Sequence, residues 1–337
     1  MKIICALLFS CLFSGCKGKN KEPFFTYSIF LMNVPASVTV YTPDENLAGK
    51  ISDAVFEEWN RIAREYSFSE PYSLVSYLNR RASMEPVKVE EEFYRLLTLS
   101  MDYYNLTKGA FDITFAPLWP IWKEAAASKK MPAKEEIRKA LQDIGSNHIH
   151  INHAKRTVKF TKPVQINMGG ILRSYCFTQG YKILKNTAGN SFPVELRLGG
   201  YMLAYGKRNW VYEVQYPFND KKSLGKFVFD QGVVLSSSGR DKFVQIEGKI
   251  YSHIIDLKTG YPLEDFSNLI VYFKDIEGSD FMPSVILALM GKDDAFKLLS
   301  KMKGTAAIWI DGQGRFEIFE NENSGAGWIK SKKIFNF

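Results

Sequence analysis

In YSHIIDLKTGYP (Tyr251 to Pro262) one of only four histidines, His253, stands three residues before Asp256 and just ahead of a Thr259-Gly260 turn. His253 to Asp256 reads as a short apolar strand with polar ends, stopped by Lys258 to Pro262. Strand ends that deliver polar side chains onto a loop often carry chemistry. The same pattern also makes an ordinary turn.

GAFDITFAPLWPIW (Gly109 to Trp122) sets Asp112 between apolar residues, with Thr114, Pro117 and two tryptophans following. It reads as a buried loop with an N-cap aspartate, or as a carboxylate in an aromatic-walled pocket. INMGGILRSYCFTQGY (Ile166 to Tyr181) runs from an apolar strand through Gly169-Gly170 into a helix carrying Arg173. Free N–H groups at a helix start plus a cation one turn in make a phosphate site, although a bare Gly-Gly is more often a tight turn. ELRLGGYMLAYGKRNW (Glu195 to Trp210) and VVLSSSGRDKF (Val233 to Phe243) are further strands running into glycine turns, where backbone can approach a ligand closely.

In SDFMPSVILALMG (Ser279 to Gly291), Asp280 and Ser284 are four apart at an expected helix start, so both oxygens can face one point. Asp280 is equally well placed as an N-cap. Carboxylate, hydroxyl and loop carbonyls are hard oxygen ligands that suit Mg²⁺. His148, His150 and His153 raise a zinc alternative. His148 and His150 would share one strand face, with His153 in the next turn. No cysteine or carboxylate completes a tetrahedral set nearby, and solvent-facing histidines opposite Ile149 and Ile151 explain the pattern better.

The elements that must position these residues are ordinary globular ones. The chain has 337 residues, 46% hydrophobic and 24% charged, which excludes a disordered chain and allows a large core. The net charge of +8 is modest and spread along the sequence. It argues against nucleic acid as a partner and suits an anionic ligand or a membrane surface. MKIICALLFSCLFSGC has a lysine, an apolar run from Ile3 to Phe13, then Ser14-Gly15-Cys16. Residues 1–15 read as a signal peptide. The segment resembles a bacterial lipobox, with Phe13 where leucine is usual, so Cys16 is the expected lipidation site; a plain cleaved signal peptide is the alternative. Residues 16–24 then form a polar tether, and residues 25–337 form the domain. Cys5 and Cys11 leave with the signal peptide, so Cys176 alone remains and no intramolecular disulfide forms.

Apolar spacing predicts helices over Leu47 to Arg64, Glu90 to Tyr104, the segment after Pro132, the segment after Gly170, and about Pro283 to Met302. Strands are predicted at Ala36 to Thr42, near Val194 to Leu198, Trp210 to Gln215, Gly232 to Ser236, Lys242 to Ile246 and Leu269 to Phe273. Hairpins are expected over HIHINHAKRTVKFTKP and over Asp311-Gly312. Helices and strands mix without regular alternation, which argues for an α+β single domain.

In their order, these segments resemble the FAD:protein FMN transferase (ApbE) family over nearly the whole mature chain. The matching pieces are Met32, SLVSYLN (Ser73 to Asn79), GAFDITFAPLWPIW, INMGGILRSY, LRLGG, WVYEVQYP, SSSGRDKF, YSHIIDLKTGYP and SDFMPSVILAL. The resemblance implies an enzyme of the bacterial cell envelope, lipid-anchored on the extracytoplasmic side. It implies Mg²⁺-dependent transfer of FMN from FAD to a Thr or Ser hydroxyl of an acceptor flavoprotein, with release of AMP. Two alternatives go with the same site: a pyrophosphatase that converts FAD to FMN and AMP, and a flavin-binding lipoprotein without catalysis. By match, His253 is the catalytic base. Met32, Ala110, Phe111, Asp112, Asn167, Arg173 and Ile254 bind FAD. Asp280, Ser284 and the carbonyls of Gly170 and Pro283 hold the metal. The chain departs from the family pattern at Asn167, usually Asp, and at Arg173-Ser174, usually Lys or Glu then Gly. It departs also at Tyr201, usually Asp, at Asp241, usually aromatic, and at Ser69, where a Tyr is expected. Asn167 can hydrogen-bond but cannot serve as a charged ligand or base. Arg173 keeps a cation and gains a bidentate fork.

Overall fold

Alternating residues over Phe25–Leu31 (β1) and Val34–Val40 (β2) make a hairpin paired in register from Phe25↔Val40 to Leu31↔Val34. Its two-residue turn is Met32-Asn33, both at positive φ, 49° and 62°, as a type I′ turn requires. The structure is a computed structural model and describes residues 22–188, 192–239, 243–246, 249–275 and 282–331.

Next comes α1 (Glu45–Tyr66), capped by Asp44, whose carboxylate accepts from Leu47 N, and burying Ile51, Val55, Trp59 and Ile62 on one stripe. Then follow α2 (Leu74–Arg81), β3 (Val87–Lys88), α3 (Glu91–Leu106), α4 (Leu118–Ser128), α5 (Lys134–Gln142), β4 (Ile149–Asn152), β5 (Thr157–Phe160) and α6 (Leu172–Thr187). The second half is strand-rich: β6 (Val194–Leu198), β7 (Tyr201–Tyr205), β8 (Trp210–Tyr216), β9 (Asn219–Phe229), β10 (Gly232–Ser238), β11 (Phe243–Ile246), β12 (Lys249–Ser252), β13 (Ile255–Asp256), β14 (Tyr261–Pro262) and β15 (Asn268–Phe273). The chain closes with α7 (Ser284–Met290), α8 (Lys292–Leu299), β16 (Thr305–Ile310), β17 (Phe316–Glu320) and β18 (Ala326–Lys330).

An antiparallel sheet in the order β1-β2-β6-β7-β10-β15-β16-β17 organises the α+β domain. Strand alternation sends its side chains to two cores. Leu203, Val233, Leu235, Leu269 and Val271 join the helices around α1 and α6. Met202, Val234, Ile270, Ala306 and Ile308 pack on the small sheet β18-β9-β8. A third cluster joins α4 and α5 to Ile246 and Ile255.

Registers fix which turns share one end of the large sheet. Ala36 pairs Leu198, Val234 pairs Met202, Ser238 pairs Asn268, and Asn268 pairs Ile310. The Met32-Asn33 turn, the Gly199-Gly200 turn, the exit of β10 and the start of β15 therefore lie together. The chain enters at the opposite end, where Phe25 pairs Val40 and Arg208 stacks on Tyr41 and pairs with Glu22.

Several expectations change. The helix predicted over Pro283 to Met302 is two, α7 and α8, because Gly291 sits between them at φ 83°, a conformation that interrupts a helix. His253 to Asp256 is no continuous strand. Only Ile255–Asp256 pairs, with Tyr261–Pro262, and His253 lies in the connection from β12. His148 ends a 3₁₀ turn rather than starting a strand, and bonds Thr161 Oγ1 while His153 bonds Tyr94. Cys16 and the expected signal peptide lie outside the described residues. Among the described residues, no helix is long and apolar enough to cross a membrane.

Candidate active site

The loop before α4 is held by its own carboxylate. Asp112 is buried, and its Oδ1 accepts from Thr114 N (2.8 Å), Thr114 Oγ1 (2.7 Å) and Ser146 Oγ (2.6 Å), while Oδ2 accepts from Ser146 N (2.8 Å). Thr114 Oγ1 in turn accepts from Gly145 N. Asp112 is not the cap of α4, whose N-cap is Pro117. It fixes Ala110 and Phe111 by tying their loop to the 3₁₀ turn at Ser146–His148. Burial, with the Asp112 carboxylate nearby, pushes the Tyr104 phenol above its usual value.

Phe111, buried against Tyr103, reaches the Gly-Gly segment. A Cβ on Gly170 would lie 3.0 Å from Phe111 Cε2, so only glycine lets this ring and that backbone meet without movement. Asn167 accepts from Gly169 N through its side chain and caps the 3₁₀ turn Met168–Gly170, while its own N–H donates to Ile113 O (2.6 Å). An amide performs that capping role as an aspartate would.

Arg173, the second residue of α6, lies beside the next glycine pair. A Cβ on Gly199 would sit 3.4 Å from Arg173 Nη1 and 3.4 Å from Val34 Cβ, so the guanidinium abuts the turn that follows β6, next to the Met32 hairpin. Its carbon is 5.2 Å from the centroid of the Tyr201 ring. Met32 holds left-handed backbone, a conformation costing of order 1 kcal/mol for a non-glycine residue.

Gly200 packs on Ser236, its oxygen accepts from Tyr212 Oη, and Ser236 Oγ donates to Asn268 Oδ1 (3.1 Å). On the other face of β10, Ser237 Oγ and Ser284 Oγ are 2.8 Å apart and buried. Gly239 then packs on Ser252, the residue before His253. Ser252 Oγ accepts from Ile254 N, and Ile254 O accepts from Leu263 N. His253 is half-buried. Asp256, the carboxylate three residues on, belongs to the turn: its side chain accepts from Lys258 N and its carbonyl from Gly260 N. Gly260, at φ 74°, accepts at its carbonyl from Trp122 Nε1 (2.8 Å), which anchors the His253 loop to α4.

The structure thus places Phe111 on Gly170, Arg173 beside Gly199 and the Met32 hairpin, Ser284 on Ser237, and the His253 loop beside Gly239, a seam of contacts at one end of the sheet. The Asp112 carboxylate holds the loop that carries Ala110 and Phe111. Asp280 and Asp241 lie outside the described residues; Pro283 holds the N-cap position of α7. Among the described residues no group of three or more His, Cys, Asp or Glu gathers to hold a metal. Ser146, Ser237 and Tyr201 were not among the expected site residues. Ser237 is visible in the sequence only as part of a serine run, and Ser146 carries no signal there.

The ApbE family model matches residues 32–309. An FAD:protein FMN transferase of Chlamydia pneumoniae is 27% identical over 217 residues, 63% of each chain. One from Klebsiella pneumoniae is 22% identical over 289 residues, covering 85% of this chain and 89% of its own. One from Treponema pallidum is 22% identical over 330 residues, 91% and 89% respectively. Among solved structures, the ApbE protein of Thermotoga maritima superposes with a TM-score of 0.79 at 25% identity, over 88% of this chain and 97% of that one. The flavin transferase ApbE from Vibrio cholerae shares the fold at a TM-score of 0.73 and 20% identity, over 89% and 98%.

Proposed function

The chain belongs to the ApbE family, and we infer that it is an FAD:protein FMN transferase, moving FMN from FAD to a protein acceptor. The observation that carries this reading is the seam itself. Segments far apart in sequence, the Met32 turn, Phe111 on Gly170, Arg173 on Gly199, and the Ser236–Gly239 exit beside Ser252, converge at one end of one sheet.

In this reading the acceptor is a flavoprotein, and its Thr or Ser hydroxyl oxygen attacks the FMN phosphorus of FAD. A new phosphoester bond forms, the bond from that phosphorus to the AMP oxygen breaks, and AMP leaves. His253 takes the hydroxyl proton. Arg173 faces the diphosphate, where a guanidinium fork matches phosphate geometry. Phe111, Met32 and Ile254 supply apolar surface for the flavin and exclude water.

Mg²⁺ fits the donor set: the Ser284 hydroxyl, the carbonyls of Gly170 and Pro283, and the Asp280 carboxylate are all hard oxygens. The buried Ser237–Ser284 pair supports a polar pocket there. When bound, the ion neutralises diphosphate charge and favours AMP departure. Cys16 carries the lipid that holds the domain on the extracytoplasmic face of a bacterial membrane. The start of β1 at the sheet end opposite the seam would turn the site away from that surface, toward an acceptor.

Chromatography of AMP and FMN tests this reading, with FAD supplied in Mg²⁺ or EDTA, and with or without an acceptor flavoprotein domain. The expected result is AMP release that needs both acceptor and Mg²⁺. Equal AMP and free FMN regardless of acceptor would make the protein a pyrophosphatase. Bound FAD with no AMP would make it a flavin binder only.

A further inference from the structure

Arg173 and Tyr201 both depart from the family pattern, and they touch: the guanidinium carbon stands 5.2 Å from the ring centroid. The ring is in turn fixed from below. Tyr201 is 2% exposed and packs on Phe177 (5.9 Å between centroids), one helical turn after Arg173 on α6. Phe177 packs at a tilt on Trp59 (5.5 Å between centroids), whose indole N–H donates to Cys176 O at 2.7 Å. The aromatic column therefore runs from the core of α1 and α6 to the underside of a single guanidinium.

That guanidinium has no carboxylate partner and no hydrogen-bond acceptor among the described residues. Nearby Arg197, by contrast, is paired with Glu195 at 2.6 Å, and Arg61, Arg81, Arg138 and Arg315 also hold carboxylates. A cation resting on an aromatic face is held without using its N–H donors. Its five donors stay available along the planar edge, beside the Gly199 turn.

We propose that Tyr201 is a positioning residue: its ring holds the Arg173 guanidinium over the Gly199-Gly200 turn with the donor edge turned to the diphosphate of the dinucleotide substrate. A carboxylate at position 201 would hold the cation by consuming donors. An aromatic ring holds it and leaves them for the ligand. This inference rests on the FAD-binding reading of the site.

The test is a double-mutant cycle on the full chain, read by flavin-fluorescence titration with FAD. Tyr201→Phe, which keeps the ring, binds FAD within about twofold of the parent, whereas Tyr201→Leu weakens binding roughly three- to tenfold. Arg173→Ala weakens it at least as much. In the double variant Arg173→Ala/Tyr201→Leu, the Tyr201 change adds nothing further, because its effect passes through Arg173. Tyr201→Met replaces Tyr201→Leu in the same cycle should the latter not fold. Additive losses, or an unchanged affinity in Tyr201→Leu where Arg173→Ala is weakened, would overturn the role of Tyr201 alone. A parent protein that does not bind FAD would overturn the reading of the site itself, and an Arg173→Ala variant with parental affinity would remove Arg173 from it.

Discussion

Phe111 lies against Gly170 so closely that a Cβ there would come within 3.0 Å of the ring. This contact joins the loop organised by Asp112 to the turn that starts α6, and it makes the absence of a side chain at position 170 a structural need. Gly170→Ala should displace the ring, lowering stability by about 1–3 kcal/mol. FAD affinity should fall with it, as read by thermal melts and flavin titration. Phe111→Leu in the same chain should restore part of both.

Asp112 accepts four hydrogen bonds from Thr114 and Ser146 while buried. Asp112→Asn turns one acceptor into a donor facing an N–H or hydroxyl, and should destabilise the domain by about 2–4 kcal/mol. Denaturant unfolding measures this. A loss of FAD affinity at unchanged stability would mean instead that Asp112 touches the ligand directly.

Trp122 Nε1 to Gly260 O, 2.8 Å and buried, ties the His253 loop to α4. Trp122→Phe should cost about 1–3 kcal/mol through the unpaired carbonyl. It should lower kcat for transfer more than it raises the Kd for FAD, because the loop that loses its anchor carries the proposed base but only one, Ile254, of the three proposed flavin contacts.

Glu92 should shape the acid limb of stability. Burial raises its pKa, but hydrogen bonds from Arg61 (2.6 Å), Tyr175 (2.6 Å) and Tyr66 (2.7 Å) outweigh that and hold it below the ordinary value of 4.5. A carboxyl depressed in the folded state stabilises fully above its unfolded pKa, and that contribution is lost as pH falls through the folded one. Tm should therefore be level with respect to this group above about pH 5 and fall below about pH 4. Glu92→Gln should be less stable at neutral pH and show a shallower acid decline.

The elements legible in the sequence are those whose pattern is local. Ile51, Val55, Trp59 and Ile62 announce α1, and the serine–glycine and glycine–glycine exits mark turns that do gather at one sheet end. The break at Gly291 is hidden because apolar spacing continues on both sides of it. The part Asp112 plays in holding its loop is hidden because its partner Ser146 is distant in sequence and has no distinguishing neighbours. His253 to Asp256 reads as one strand, yet Asp256 serves the turn that follows, which hydrogen bonds within the turn decide. The Arg173–Tyr201 contact joins a helix to a strand in a register that only the folded sheet fixes. Each residue alone looks like an isolated departure from the family pattern.

The most direct test of FMN transfer is the intact mass of an acceptor flavoprotein domain after incubation with this protein, FAD and Mg²⁺, with AMP measured in the same sample. Transfer predicts that the acceptor gains the mass of one FMN moiety per AMP released, and that His253→Ala abolishes both without loss of FAD binding. AMP released with the acceptor unmodified, or no AMP from protein that binds FAD, would contradict it.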